Sequence, residues 1–312
     1  MKIIGFEEGD RLLTWPDVAE AIRAGHQGEK AEIGDLLIGV GEKRMLNRAA
    51  WIPGLGIAMK SVTVFPDNPK QNPPRPSVQG GVLVFDAETG VPTALIDGGL
   101  VTKWKTAGDS ILGATLLANP EPKTLLICGA GTVADNLADA YPAIFPSIDT
   151  ILVWNRTQEK AEDFVARHGG GRREIRSVAD LKSAVGEADI VTTATMAVEP
   201  IIKGDWLQAG THLDLIGAYR PDMREADDAV LRRGELFVDS RETTIGHIGE
   251  IQIPLDQGTI NVADIRGDFA DLVAGRAGRS GPDAITVFKN GGGAHLDLMV
   301  ADLVLGKAAT ES

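Results

Sequence analysis

A single cysteine, Cys128, stands in 312 residues, so no internal disulfide can form. It lies in the apolar run LLIC, which suits a buried small residue, and the chain holds no CxxC pair or other thiol metal pattern. The five histidines, His26, His168, His212, His247 and His295, show no metal-ligand spacing, so no metal is expected. No stretch approaches the ~18 apolar residues that a membrane span needs. The opening residues MKIIGFEEGDRLLTW carry acids and an arginine where a signal peptide needs an apolar core, so a cytoplasmic location is expected. Basic residues are also in short supply: 31 Lys and Arg against 44 Asp and Glu leave a net charge of −13. That balance speaks against nucleic acid or an anionic membrane surface as a partner. A small anionic substrate then needs a locally basic pocket.

What remains is an ordinary globular composition, 43% hydrophobic and 24% charged, in a chain longer than one hydrophobic core usually spans. The two parts read differently. Up to residue 120, short apolar runs (DLLIGV, RAAWIPG, GIAMKSVTVF, GGVLVFD, VPTALID) alternate with turn residues. Gly90 in DAETG marks a hairpin, and the proline-rich PDNPKQNPPRPS marks a loop. Helices are expected at WPDVAEAIRAGHQ and TKWKTAGDSILGATLLA. This part is α+β. From Lys123 the pattern becomes strand, helix, strand: KTLLICG, TVADNLADAYPAI, DTILVWN, TQEKAEDFVARH, ADIVTTAT, THLDLIGAY, ELFVDS and AITVFKN. Pro142 is expected to kink or end its helix. That rhythm predicts a doubly wound parallel sheet of Rossmann type. The terminal AHLDLMVADLVLGKA reads as an amphipathic helix.

Gly129 to Ala134, GAGTVA, follow a predicted strand and open a predicted helix, the context in which a GxGxxG-type loop carries meaning. Gly129 permits the tight turn, and Gly131 lets a pyrophosphate approach the backbone of the following turn, which begins Thr132-Val133. At the end of the second strand, where an NAD enzyme usually carries an acid for the ribose 2′-hydroxyl, the chain has Asn155, Arg156 and Thr157. An arginine there suits a 2′-phosphate, so NADP(H) is favoured, with NAD(H) as the alternative.

Taken together, WKTAGDS, ICGAGTVA, VWNRT, TTATMAVEPII, LIGAYRPDMREAD, FVDS and TVFKNGGGAHLD resemble the ornithine cyclodeaminase/mu-crystallin family, over almost the whole chain. NRT and RPDxRE bring it closer to the mu-crystallin-like imine reductases. The resemblance implies a homodimer, a substrate-binding and dimerisation domain at 1–120 plus 293–312, and a Rossmann domain at 121–292. It places Thr195, Met196 and Ala218 at the cofactor. It also implies three cations for the substrate carboxylate and the C=N group: Arg48 (with Arg44 as a rival), Lys60, and Lys105 where the family normally has arginine. Lysine cannot make arginine's bidentate clamp. Asp109, four residues on, shares its helix face, either as a functional partner of Lys105 or as a surface ion pair. Lys60 is the candidate for polarising or protonating the imine nitrogen. His295, opening the last helix, is a second candidate proton donor, with capping or packing as its plainer role.

Cyclodeaminases carry an aspartate where this chain has Tyr219, a poor base at neutral pH. Three activities follow from the resemblance. The first is NAD(P)H-dependent reduction of a 2-imino acid, cyclic or linear, reversible as an amino-acid dehydrogenase. The second is a cyclodeaminase, against which Tyr219 argues. The third is an NADPH-binding protein without turnover.

Overall fold

The computed structural model describes residues 1–310. The chain forms two compact units: Met1–Gly108 with the chain from Gly293 on, and Asp109–Gly292. The first begins with β1 (Lys2–Ile4), α1 (Phe6–Asp10) and α2 (Trp15–Gln27). Thr14 caps α2 by accepting the Asp17 N–H at 3.3 Å, with Pro16 in the first turn, where its missing N–H costs nothing. Then come β2 (Glu32–Val40), β3 (Lys43–Ile52), β4 (Gly56–Val64), β5 (Val78–Phe85), β6 (Pro92–Asp97) and α3 (Gly98–Leu117). The strands form one sheet in the order β1-β6-β5-β4-β3-β2, antiparallel except where β1 joins β6. Gly90, at φ +70°, closes the hairpin from β5 to β6. Alternation places Ala50, Ile52, Ala58, Val62, Val82, Val84, Ala94 and Ile96 in the core. The division between the units falls inside α3, at 108/109, whereas the sequence boundary was set beyond that helix, at 120/121.

The second unit follows with β7 (Thr124–Cys128), α4 (Thr132–Ile144), β8 (Thr150–Trp154), α5 (Gln158–His168), β9 (Glu174–Ser177), α6 (Leu181–Glu187), β10 (Ile190–Thr193) and β11 (His212–Leu215). It continues with α7 (Asp228–Arg233), β12 (Glu235–Val238), α8 (Arg241–Thr244), α9 (Gly249–Asp256), β13 (Ile265–Gly267), α10 (Phe269–Val273) and β14 (Thr286–Lys289). All eight strands are parallel, in the order β13-β12-β14-β11-β10-β7-β8-β9. This is the doubly wound sheet that the strand-helix rhythm predicts. Each long strand is buried on both faces, which explains its unbroken apolar run. Strand order reverses between β7 and β10, the place where ligands lodge in such sheets. Cys128, at the end of β7, is fully buried, and burial holds its thiol well above the ordinary range.

Pro142 sits in the last turn of α4, which ends two residues on at Ile144. One local expectation changes. The terminal helix α11 (Ala294–Thr310) is not amphipathic over its first half, because Ala294 to Ala301 are all buried. It packs against α2 and strands β2 to β5 of the first unit, so apolar residues are wanted all round.

Candidate active site

In the second unit, the loops after β7, β8 and β10 border a crevice of about 350 Å³. Its lining includes Gly129, Gly131, Asn155, Arg156, Thr157, Thr195 and Met196, seven residues expected at the cofactor, and also Lys160, which sequence reasoning passed over. Gly129 has φ +128°, and a Cβ there would stand 2.7 Å from the Ala194 carbonyl oxygen, so no other residue fits. Gly131 has open space where its Cβ would be, and it begins α4 without a side-chain cap. The first-turn amides and the positive helix end are therefore available to an anion. Asn155 turns its amide onto the Thr157 carbonyl at 2.9 Å. Arg156 and Lys160 are exposed, and among the described residues no acid lines the crevice. A diphosphate-bearing dinucleotide fits this donor set.

Three expected cofactor residues stand apart. Thr132 and Val133 open α4 without lining the crevice. Ala218 is fully buried in a small cluster with Met223 and Ile248. It reaches the neighbourhood only through its backbone N–H, which donates to the Glu225 carboxylate at 3.3 Å.

In the first unit, antiparallel register sets Arg48 of β3 opposite Lys60 of β4, on the face covered by α11. Arg44, the rival, instead turns back onto the Gly41 and Lys43 carbonyls of its own hairpin. Lys60 is 7% exposed. Its Nζ donates to Asp297 Oδ1 at 2.9 Å and to Thr102 Oγ1 at 2.6 Å. An ammonium has three N–H bonds, and among the described residues nothing takes the third. Asp297 is a partner the sequence reading missed; the signal was a lone acid inside the buried apolar run AHLDLMV. Burial pushes its carboxyl up, but the charges of Lys60, Lys105 and Arg48 outweigh that and hold it below the ordinary range. Asp35 on β2 grips the Arg48 guanidinium through Nε and Nη2, the latter at 2.8 Å.

Lys105 is 8% exposed and Asp109 fully buried, which excludes the surface ion pair as their role. Trp104, beside them on α3, packs at a tilt of 43° against Trp15, ring centroids 4.1 Å apart, and donates to Asp10 at 2.8 Å, fixing the helix. His295 lies near this cluster, its ring edge-on to His26 at 5.4 Å. Burial, then the neighbouring His26 and Lys105, push its imidazole down to about 3. It is neutral at physiological pH, which argues against an imidazolium proton donor and leaves the packing role. Tyr219 is exposed at 57% and offers no carboxylate in the aspartate's place.

With both clusters in view, comparison with known proteins decides the lineage. The profile of the ornithine cyclodeaminase/mu-crystallin family matches residues 54–312. This chain belongs to that family. Among curated members, it is 49% identical over 304 residues to the Delta(1)-pyrroline-2-carboxylate reductase of Paracoccus denitrificans, covering 97% of this chain and 96% of the relative. Among solved structures, it matches the Thermococcus litoralis Delta(1)-pyrroline-2-carboxylate reductase in complex with NADH and L-proline. That match has a TM-score of 0.90 and 30% identity, over 100% of this chain and 98% of the other. An archaeal alanine dehydrogenase dimer with bound NAD matches at TM-score 0.91 and 25% identity, over 100% and 97%.

Proposed function

We propose that this family member reduces the C=N bond of a cyclic 2-imino acid, pyrroline-2-carboxylate, with NADPH preferred over NADH. The observation that carries the reading is the buried cation cluster in a chain of net charge −13: Lys60 at 7% and Lys105 at 8% exposure, with Arg48 opposite Lys60. Such a cluster attracts and orients a carboxylate. The remaining N–H of Lys60 is directed at the imine nitrogen, drawing electron density towards it. When bound, the nicotinamide would supply the hydride to the carbon, and the nitrogen would take its proton from the Lys60 ammonium to give the amine. Lys105 takes the substrate carboxylate as a point charge, and Asp297 holds Lys60 in place. Buried Asp109, one turn on from Lys105, is assigned to orienting it.

The NADPH preference rests on Asn155 in place of an acid, with Arg156 and Lys160 both lining the crevice. The homodimer is also a proposal. The sheet face opposite α11 exposes Leu36, Ile38, Met45, Trp51 and Met59, a patch that a second copy would cover.

The test is loss of reduced-nicotinamide absorbance with purified protein, using pyrroline-2-carboxylate, piperideine-2-carboxylate, and pyruvate or oxaloacetate with ammonia. Fastest turnover with pyrroline-2-carboxylate and NADPH is expected. Ammonia release from ornithine with no reductase activity would overturn the reading in favour of a lyase.

A further inference from the structure

The carboxylate of Glu225, in RPDMRE, is fully buried and accepts five hydrogen bonds. Oε2 takes Thr193 Oγ1 at 2.8 Å, Gly217 N at 2.6 Å and Ala218 N at 3.3 Å. Oε1 takes Thr195 N at 2.9 Å and Thr195 Oγ1 at 2.7 Å. These donors come from the last residue of β10, the chain after it and the chain after β11. The backbone of Glu225 extends the junction: its carbonyl accepts Ile201 N and Ile202 N, both at 2.9 Å, and its N–H donates to Glu250 Oε2 at 2.6 Å. The loops meet without room for a side chain, since a Cβ on Gly217 would fall 2.0 Å from the Thr195 carbonyl oxygen and 2.5 Å from Glu225 Oε1. Thr195, Ala194 and Ile201 line the crevice; Glu225 does not.

In a doubly wound sheet, the loop after β8 serves the adenosine ribose, and the loops across the switch point serve the other half of the dinucleotide. Planarity of the trans peptide points the Ala194 carbonyl away from the Thr195 N–H, hence away from Glu225. On that side it meets Gly129, whose Cβ position lies 2.7 Å from the oxygen. One buried carboxylate thus sets the loops after β7, β10 and β11 relative to one another. Three of the five donors are backbone N–H groups, of Thr195, Gly217 and Ala218, which can donate but not accept. Whichever side an amide of the same size placed its nitrogen, that NH2 group would face at least one of these backbone N–H groups.

We propose that Glu225 is a positioning residue for the nicotinamide half of the cofactor, acting through Thr195 and the Gly217–Ala218 backbone. This rests on the reading of the crevice as a dinucleotide site. A misplacement of around an ångström at the reacting carbon costs about 100-fold in rate.

The experiment compares wild type with Glu225→Gln and Thr195→Val. It measures the affinity for ADP-ribose, kcat for imine reduction, and the deuterium isotope effect with cofactor labelled at the transferred position. Expected for Glu225→Gln is a kcat loss of about 100-fold, a larger isotope effect, and ADP-ribose affinity unchanged. Unchanged kcat overturns the proposal. So does a parallel loss of ADP-ribose affinity, which marks a merely structural acid. If Glu225→Gln fails to fold, Thr195→Val decides by the same criteria, with a smaller selective loss expected and an unchanged kcat counting against. Wild type that takes up neither ADP-ribose nor NADPH would instead sink the dinucleotide reading itself.

Discussion

Replacing Asp297 by Asn removes one charge from a buried pair while keeping its shape. Lys60 Nζ and Asp297 Oδ1 are 2.9 Å apart, and their side chains are 7% and 2% exposed. Screening by solvent is therefore slight. Removing one partner of a buried pair typically costs about 3–5 kcal/mol, because the other charge is left uncompensated. The asparagine oxygen still accepts from Lys60, which points to the lower end, about 3 kcal/mol, or a melting point lower by about 6–12 °C. Asp297 is held below the ordinary carboxylate range by Lys60 and Lys105 against the opposing effect of burial. Its contribution is then complete above the ordinary value and fades as pH falls through the depressed one, so variant and wild type converge in acid. The variant also leaves the cations with a deficit of negative charge, which a bound carboxylate relieves. L-Proline is therefore expected to raise the variant's melting point more than the wild type's. Thermal unfolding across a pH series, with and without proline, checks both parts. A variant that melts with wild type at neutral pH would refute the reasoning, because the pair would then contribute nothing.

Stability should be nearly flat from about pH 6.5 to 4.5 and fall below that. His212 and His295, both pushed to about 3 by burial, gain protons on unfolding across that range, which lowers stability as pH falls. Asp214, raised to about 6, and Glu250, raised to about 7, release protons on unfolding and offset the loss until their unfolded forms protonate too. Urea midpoints against pH measure this, and a steep slope between pH 6.5 and 4.5 would count against it. Arg156→Ala with Lys160→Ala should cut the NADPH-to-NADH ratio of kcat/KM by at least about 10-fold, each lost charged hydrogen bond being worth about 1.5–3 kcal/mol. Asp109→Ala should lower kcat, and unchanged turnover would return Asp109 to a packing role. Ile38→Asp with Trp51→Asp should yield monomers by light scattering if the outer sheet face is the dimer surface.

Much of this protein was legible in one dimension. The glycine loop, the strand-helix rhythm after Lys123 and the hairpins before it depend on local rules: backbone freedom at Gly129, period-two and helical spacing, and apolar runs buried on both faces. Short elements escaped for the same reason. β1, β9 and β13 hold three or four residues each, too few for a period to show. The even burial of the first half of α11 was missed because its surroundings come from residues more than 200 positions earlier. The motifs also picked out Arg48, Lys60 and Lys105 as cations, since a charge type survives in the letters.

Partnership does not. Lys60 and Asp297 lie 237 residues apart in sequence, and only the packing of α11 on the sheet makes them an ion pair. Lys160 reaches the crevice because α5 starts where β8 ends, whereas Ala218, beside an equally suggestive motif, is turned into the core. In the letters Glu225 is one acid among the charges of RPDMREAD, and the fold gathers five donors around it. Which chemical groups are present, and which local elements form, follows from the order of residues and short-range rules. The tertiary structure decided which groups are dry and whom each one faces, because burial and hydrogen-bond partners are set by contacts between distant segments.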